Sequence, residues 1–267
     1  MNNQKFNLVR GDVQNSRDVN KAIKDADIVF HLAAFVNVPL LIENPMLAHN
    51  VNTRGTLNLL QAILKKNIAR FIYVSTCAVY GEACYLPISE EHPTAPLSPY
   101  GISKLAAEQY CKVFNRTFGL KTVCLRYFNV YGPRLTHGVI YDFYHKLKRN
   151  PKKLEILGDG NQEKSYLHVS DAVDATLLAA RKTGKYSVFN VGSEETITVR
   201  EIGRIVASLM GLENVKYEFT GGRIGWPGDV PLMLLSIEKL KSLGWKPKFS
   251  IKESIIDTVS WLQTYFP

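Results

Sequence analysis

The chain has 267 residues, of which 46% are hydrophobic and 21% are charged, a composition that is ordinary for a soluble globular protein. A chain of this length can bury a large core as one α/β domain or as one domain with a smaller lobe. No run of residues approaches the ~18 apolar positions of a transmembrane helix, and residues 1–5 do not begin a signal peptide. We therefore expect a cytoplasmic protein with no membrane contact.

The distribution of charge and the spacing of cysteine and histidine argue against nucleic-acid-binding, zinc-binding and disulfide-rich proteins. The formal net charge is +9, but the basic residues are dispersed among acidic ones and show no aromatic-plus-basic RNA signature. Nucleic acid is therefore not an expected partner, and a basic surface also suits a phosphorylated small molecule. The four cysteines form no C-x-x-C pair and the six histidines have no metal-ligand spacing, so no zinc site and no disulfide framework is predicted. The cysteines fit a reducing compartment.

Strand-like and helical patterns alternate through the first two-thirds of the chain. The predicted elements are a strand at 6–9, a helix at 18–24, a strand at 28–34, a helix at 50–66, a strand at 71–75, a helix at 98–118 and a strand at 122–127. Continuous apolar strands separated by helices predict a parallel sheet that is covered on both faces. We therefore expect a doubly wound, Rossmann-like α/β fold.

The pattern changes after Tyr131-Gly-Pro-Arg134. Short strands, glycine turns and the bend at Trp226-Pro-Gly228 predict a smaller, irregular α+β lobe, while a helix at 170–181 and a strand at 187–191 return to the main sheet. The expected division is a Rossmann-like cofactor domain at 1–133 with 166–193, and a substrate-binding lobe at 134–165 with 194–267.

The segment Ser98-Pro-Tyr-Gly-Ile-Ser-Lys104 carries the strongest chemical signal. Ser98 is a good helix N-cap and Pro99 suits the first helical position, so a helix is predicted to begin here and to end near Gly119. Tyr100 and Lys104 are then i and i+4 on one face of this helix. An ammonium beside a phenol favours the phenolate, and one close lysine together with a cationic cofactor ring is expected to lower the tyrosine pKa from ~10 to ~7. The pair is therefore predicted to act as a general base for a sugar or alcohol hydroxyl.

The same spacing occurs a second time, at Tyr144 and Lys148, in a basic stretch of the chain. This copy has no cap before it, and no strand that ends in a Ser-Thr pair directly precedes it. We interpret it as a solvated helix face.

With these motifs in order, the chain resembles the extended short-chain dehydrogenase/reductases, in their nucleotide-sugar epimerase branch. The motifs are Gly11-Asp12, His31-Leu-Ala-Ala34, Val51-Asn52 with Gly55-Thr56, Val74-Ser-Thr-Cys-Ala-Val-Tyr-Gly81, Ser98 to Lys104, Arg126-Tyr-Phe-Asn-Val-Tyr-Gly-Pro133, Leu157-Gly-Asp-Gly160 and Trp226-Pro-Gly-Asp229. Each is weak alone, but the order and the intervals are very specific and span essentially the whole chain. Within the family, the chain is most similar to UDP-glucose 4-epimerase-like proteins, including the archaeal kind.

The resemblance implies a role for each matching residue. Tyr100 would be the base, Lys104 would lower its pKa and hold the nicotinamide ribose, and Thr76 with Ser75 would meet the reacting sugar oxygen. The implied contacts with NAD are Asp12, Ala33, Ala34, Lys104 and Tyr127, and those with a UDP-sugar are Asn129, Lys164 and Arg223. The helices at 50–66 and 98–118 resemble the family's dimer-forming pair, so a homodimer is expected by analogy.

Several of these residues have structural alternatives that stay open at this point. Asp12 could cap the following helix, and the two alanines after His31 could serve only packing at a strand end. Asn129 could be a turn residue, and Arg223 could be a surface loop residue. Lys164 supplies a point charge without the bidentate fork of an arginine.

The implied reaction is transient oxidation of the sugar at carbon 4. Tyr100 takes the proton of the 4-hydroxyl while hydride passes to NAD⁺, and hydride returns to the other face after the keto intermediate rotates. Family dehydratases carry an Asp-Glu pair after the threonine, and the decarboxylases carry a glutamate at the second position. Cys77 and Ala78 stand there, which disfavours both reactions. Two alternatives remain: a keto-sugar reductase and a catalytically silent nucleotide-sugar-binding protein.

One part of the family pattern is expected to be missing. The family begins with a strand, a G-x-x-G-x-x-G turn and a helix that bind the pyrophosphate, whereas the segment at 5–12 already matches its third strand. Without that unit, the family's fourth strand should lie at an edge of the sheet. Three explanations are open: the sequence is truncated, it omits residues not seen in a crystal, or it is a natural pseudoenzyme.

Overall fold

The structure is a computed structural model that describes residues 6–66, 68–226 and 228–266. The chain forms two compact units. The first comprises Met1–Val79, Pro96–Leu125 and Lys182–Val188, and the second comprises Tyr80–Ala95, Arg126–Arg181 and Phe189–Pro267. The interpretations that concern residues 1–5 and Pro227 lie outside the described residues.

The elements follow one another in a βα order through the first unit and become shorter in the second. The helices are α1 (Ser16–Ala22), α2 (Val38–Glu43), α3 (Pro45–Ala48), α4 (Gly55–Leu64), α5 (Pro99–Phe118), α6 (Val139–Arg149), α7 (Val169–Lys182), α8 (Val199–Leu209), α9 (Glu238–Lys241) and α10 (Ile251–Tyr265). The strands are β1 (Ile28–His31), β2 (Arg70–Thr76), β3 (Lys121–Tyr127), β4 (Asn129–Tyr131), β5 (Lys153–Ile156), β6 (Glu163–Lys164), β7 (Tyr166–His168), β8 (Ser187–Val191), β9 (Ile197–Thr198), β10 (Lys216–Phe219) and β11 (Leu232–Met233). A π-helical turn lies at His49–Arg54 and a 3₁₀ turn at Cys77–Val79.

The principal sheet has the strand order β1-β2-β3-β8, and β1 runs parallel to β2 with His31 opposite Tyr73. Phe71 and Tyr73 of β2 are fully buried in one core with Leu60 and Ile63 of α4. Parallel strands whose residues are apolar over most of their length need helices on their faces, and α4 and α5 both pack on the face of Phe71 and Tyr73. The predicted α/β fold with a parallel sheet is confirmed.

Two predicted elements of this unit differ in the structure. The strand predicted at 6–9 is wrong, because Phe6 and Leu8 are 73% and 67% exposed and no described strand pairs with them. An apolar alternation forms a strand only where a neighbour accepts its hydrogen bonds. The helix predicted at 50–66 begins as the π-helical turn and becomes α-helical only at Gly55. As expected, β1 is an edge strand among the described residues, with Ile28 42% exposed.

The second unit contains three small sheets and its own apolar core. Its pairings are parallel β4 with β7, parallel β5 with β10, and β6 between parallel β11 and antiparallel β9. Tyr144 lies in this core at 3% exposure, and its hydroxyl donates to the Phe266 carbonyl at 2.8 Å. The interpretation of Tyr144 as part of a solvated face is therefore wrong, whereas Lys148 is exposed.

The two compact units do not share their bounds with the predicted cofactor and substrate domains. The second unit includes four ranges that the prediction assigned to the cofactor domain, namely 80–95, 126–133, 166–181 and 189–193. The functional division at 133/134, 165/166 and 193/194 stays a prediction.

A substitution at the N-terminus of α5 measures how much the Ser98 side chain stabilises the fold. Ser98 has extended backbone and its hydroxyl accepts a hydrogen bond from Gly101 N at 3.1 Å. We expect Ser98→Ala to lower the free energy of unfolding by about 1 kcal/mol, because one buried N–H loses its partner. Ser98→Asp, which keeps the acceptor, is the matched control. Urea unfolding checks this, and equal losses in both variants would contradict the capping role.

Candidate functional site

The predicted base lies in the first turn of α5, which packs closely on the 3₁₀ turn after β2. A Cβ atom placed on Gly101 would lie 2.6 Å from the Ala78 carbonyl oxygen and 2.8 Å from Pro96 Cβ. Only a glycine permits this approach without displacing the neighbouring chain. The turn that carries Tyr100 is therefore held against the end of β2, where Ser75 and Thr76 lie.

Tyr100 and Thr76 are brought together by this packing. The Thr76 hydroxyl accepts a hydrogen bond from Ala78 N at 3.2 Å, so its own hydrogen can be donated to the Tyr100 phenol. Burial raises the pKa of Tyr100 to about 12, the hydrogen bond with Thr76 opposes this rise, and the nearby Cys77 adds to it. The sequence predicts a Tyr100 pKa that is lowered by Lys104 together with a cofactor ring, whereas in the protein alone desolvation outweighs all other effects.

Lys104 is buried one helical turn after Tyr100, with 3% of its surface exposed. Its ammonium donates to the Val74 carbonyl oxygen at 2.6 Å and lies 4.4 Å from the centre of the Tyr73 ring. Burial lowers the pKa of Lys104 to about 8, and the Glu108 carboxylate on the same helix counteracts this. The ammonium of Lys104, on α5, is thus a desolvated cation that is held against the backbone of β2.

Ser75 is the second hydroxyl at the end of β2 and is 3% exposed. Its Oγ atom has no hydrogen-bond partner among the described residues. A buried hydroxyl without a partner is costly, so a polar partner is expected to come from a bound molecule.

The residues predicted to meet the adenosine half of a dinucleotide lie at the exposed side of the first unit. The Asp12 carboxylate accepts hydrogen bonds from Gln14 N at 2.8 Å and from Gln14 Nε2 at 3.1 Å. It therefore closes the turn before α1, but the N-cap of α1 is Asn15 and not Asp12. Ala33 is exposed and Ala34 partly so, in the irregular segment that follows β1.

A buried polar network beneath this region was not predicted from the sequence. Thr56 Oγ1 donates to the Asn52 carbonyl at 2.6 Å and lies 2.9 Å from His31 Nε2. Asn52 Nδ2 donates to Ser103 Oγ at 3.0 Å, and Ser103 Oγ donates to the Tyr100 carbonyl at 2.7 Å. Asn52 and Thr56 were visible as family motifs. No local pattern indicated that the π-helical turn would join them to α5.

The remaining predicted residues lie in the second unit. The Tyr127 hydroxyl pairs with the hydroxyl of Thr176 and donates to the Ala172 carbonyl at 3.3 Å, and burial raises its pKa. Asn129, on β4, donates to the Ser165 carbonyl at 3.2 Å. Both side chains are partly exposed.

Lys164 forms an ion pair with the buried Asp229, whose second carboxylate oxygen accepts from Gly225 N at 3.0 Å. Arg223 is exposed in the loop after β10. This loop does contain one G-x-x-G-x-x-G spacing, Gly222-Arg-Ile-Gly225-Trp-Pro-Gly228, so the expectation that the spacing is missing needs correction. The next described element is the short strand β11 and not a helix, so the loop lacks the context of a dinucleotide-binding turn.

The net charge of the chain resides in one unit. The first unit has 15 Lys and Arg against 6 Asp and Glu, a difference of +9, whereas the second has 18 of each. The basic residues are therefore less evenly distributed than the sequence order suggests. A positive net charge on the unit that carries Tyr100 and Lys104 favours an anionic ligand over a cationic one.

Comparison with known proteins places this arrangement in a family. A model of the NAD dependent epimerase/dehydratase family matches residues 1–192, which include the ends of β1 and β2 and all of α5. The chain belongs to this family. The resemblance to the nucleotide-sugar epimerases of the extended short-chain dehydrogenase/reductases is thereby confirmed.

Proteins named as epimerases are similar to this chain over nearly its full length. A putative UDP-glucose 4-epimerase of Methanocaldococcus jannaschii is 37% identical over 271 residues, covering 98% of this chain and 85% of the relative. The UDP-glucose 4-epimerase of Thermotoga maritima, solved with UDP-glucose, has a TM-score of 0.91 and 32% identity over 99% of this chain and 87% of its own. The UDP-glucose 4-epimerase of Thermus thermophilus, solved with NAD, has a TM-score of 0.86 and 35% identity over 96% and 84%.

Among the described residues, every helix is too short or too polar to cross a membrane. The individual site residues stay predictions, because none of these likenesses tests a single side chain.

The close approach at Gly101 gives a direct test of the site geometry. We expect Gly101→Ala to reduce turnover at least about tenfold, because the new methyl group pushes the turn of Tyr100 away from the end of β2. Gly184→Ala is the matched control, since a Cβ atom there meets nothing within 4 Å. Turnover and unfolding are measured for both variants. Full activity of Gly101→Ala would contradict the proposed closeness of α5 and β2.

Proposed function

We propose that this protein is an NAD-dependent nucleotide-sugar epimerase that inverts carbon 4 of a UDP-hexose, with UDP-glucose and UDP-galactose as the pair. One observation carries the proposal. The phenol of Tyr100, the hydroxyl of Thr76 that donates to it and the ammonium of Lys104 lie in one unit, near the end of β2. The names of the relatives support the same reaction.

The residues present fit the nicotinamide-ribose end of NAD. Lys104 supplies an ammonium, Tyr100 a phenol, and Ser75 a buried hydroxyl that has no partner among the described residues. The positive charge of the first unit suits a dinucleotide. Asp12 and the segment of Ala33 and Ala34 are exposed and stay the proposed contacts for its adenosine half. Tyr127, in the second unit, stays a proposed cofactor contact.

The chain's own groups would move one proton and hold the sugar. Tyr100 takes the proton of the sugar 4-hydroxyl and later returns it, which is general base and then general acid catalysis. When bound beside these residues, NAD⁺ would supply the hydride acceptor and donor for carbon 4. Thr76 donates its hydrogen to the oxygen of Tyr100, which favours the phenolate. Lys104 places a fixed positive charge one helical turn away from Tyr100.

The residues after Thr76 favour epimerisation over elimination. Dehydratases of this family resemble the present site but carry an Asp-Glu pair where Cys77 and Ala78 stand. A thiol and a methyl group do not supply the carboxylates that a dehydration needs. Reduction of a keto-sugar needs no extra carboxylate, so the consumption of cofactor distinguishes it in the test below.

Substrate contacts in the second unit rest on the resemblance. Asn129, Lys164 and Arg223 are proposed to hold the sugar or the diphosphate of the UDP-sugar. The Lys164 ammonium has three donors, so its pairing with Asp229 leaves capacity for a phosphate oxygen. We also propose a cytoplasmic location, which suits the four cysteines, none of which forms a disulfide among the described residues.

The epimerase proposal predicts a specific loss in Tyr100→Phe. Removing the phenolic oxygen removes the base, so turnover of UDP-galactose to UDP-glucose should fall by about 10²–10⁴. The fold should persist, because the ring is kept. NAD⁺ is held at a catalytic amount, and product and the spectrum of reduced cofactor are followed together.

The ratio of product to cofactor distinguishes the possible functions. Many product molecules per NAD⁺ would support an epimerase, while one oxidised or reduced cofactor per product would indicate a reductase. UDP-sugar binding without turnover in the unmodified protein would indicate a binding protein. Full turnover by Tyr100→Phe would remove Tyr100 from the mechanism.

A homodimer through α5 is a further part of the proposal. Ile102 and Val113 are 58% and 52% exposed and lie about three helical turns apart on the same side of α5. An apolar stripe of this kind on a surface helix is suited to a second copy.

We expect Ile102→Glu combined with Val113→Glu to convert the dimer to a monomer, because two buried carboxylates would oppose association. Val173→Glu, at a position on α7 that is 50% exposed, is the control. Light scattering after gel filtration gives the mass. A dimer that survives the double substitution would show that this face of α5 is not the interface.

A further inference from the structure

Tyr73 contacts Lys104 at both ends of the lysine residue. It lies within β2, is fully buried, and faces His31 of β1 in register. The Tyr73 hydroxyl donates to the Lys104 carbonyl oxygen at 3.4 Å, and the Lys104 ammonium lies 4.4 Å from the centre of the Tyr73 ring. We propose that Tyr73 is the positioning residue of the site, which fixes the Lys104 ammonium over its ring face. This proposal rests on the proposed function, in which Lys104 serves Tyr100.

The need for such a residue follows from the burial of Lys104. An ammonium has three donors, and one of them is directed at the Val74 carbonyl oxygen at 2.6 Å. A cation that has left water must recover the lost solvation from the protein. The face of an aromatic ring attracts a cation, and the attraction is strongest where water is excluded, as it is for Lys104.

Other titratable groups also act on the Lys104 ammonium. Glu108, Cys111 and Cys124 raise the pKa of Lys104 from α5 and β3, and Tyr100 faces Tyr73 from the first turn of α5.

His31 is neutral beside them. Thr56 donates its single hydrogen to the Asn52 carbonyl, so His31 Nε2 must carry the hydrogen that it shares with Thr56. Burial and the charge of Lys104 lower the pKa of His31 to about 3, and its ring centre lies 5.7 Å from that of Tyr73.

The experiment measures the titration of Lys104 itself, without cofactor or substrate. The protein is labelled with carbon-13 at lysine Cε, and the resonance of Lys104 is identified by its loss in Lys104→Gln. Tyr73→Phe keeps the ring and removes the hydroxyl, whereas Tyr73→Leu keeps a similar apolar bulk and removes the π face.

We expect the unmodified protein and Tyr73→Phe to titrate at the same pH, and Tyr73→Leu to titrate about one pKa unit lower. The direction follows because losing an attraction to the cation favours the neutral amine.

An unchanged pKa of Lys104 in a folded Tyr73→Leu protein would overturn the proposal, and so would an equal downward shift in Tyr73→Phe. If Tyr73→Leu does not fold, trifluorophenylalanine at position 73 keeps the shape of the Phe side chain and weakens its negative face. A downward shift relative to Tyr73→Phe then supports the proposal, and no shift overturns it. No turnover is measured, so failure of the epimerase assay and failure of this titration are separate results.

Discussion

The docking of α5 on β2 is the interaction on which the rest of the site depends. It requires a buried cation, since Lys104 can reach the Val74 carbonyl only by leaving water. It also requires a glycine, since Gly101 approaches the Ala78 carbonyl more closely than a Cβ atom allows. Burying a charge is unfavourable unless hydrogen bonds and nearby charges replace its hydration. The ring of Tyr73 and the carboxylate of Glu108 contribute that replacement.

The same burial disfavours ionisation of Tyr100 in the protein alone. The environment that fixes Tyr100 also raises its pKa to about 12, because a phenolate is poorly solvated there. The hydrogen bond with Thr76 recovers part of this difference. Further positive charge is needed to form the phenolate near neutral pH, and a bound nicotinamide ring carries such a charge. Under the proposed function, Tyr100 becomes an effective base only together with NAD⁺, which links proton transfer to hydride transfer.

Local signals in the sequence were sufficient for α5 and its neighbours. Ser98 and Pro99 act on the first turn of α5, and the left-handed Gly119 acts on its last turn. Because each of these signals is local, the bounds of the helix could be predicted closely. The strand at 6–9 could not, because pairing depends on a distant partner. The core position of Tyr144 depends on its distant contact with Phe266, which a local pattern does not encode.

The site was predictable to a similar extent. The i, i+4 spacing brings Tyr100 and Lys104 onto one face, and the strand end supplies Ser75 and Thr76. The raised pKa of Tyr100 in the protein alone was not predictable, because desolvation depends on the packing of the whole unit. The role of Tyr73 was hidden for a related reason, since Tyr73 and Lys104 are 31 residues apart in the chain and belong to different elements.

The measurement that tests this account most directly is the ultraviolet absorbance of the Tyr100 phenolate, recorded about one pH unit below the ordinary tyrosine pKa of ~10, with and without NAD⁺. The difference between the unmodified protein and Tyr100→Phe isolates the signal of this one tyrosine. The account predicts no phenolate in the protein alone and a phenolate signal when NAD⁺ is added. A phenolate already present without NAD⁺, or none with NAD⁺ bound at saturation, would contradict a base that depends on its cofactor.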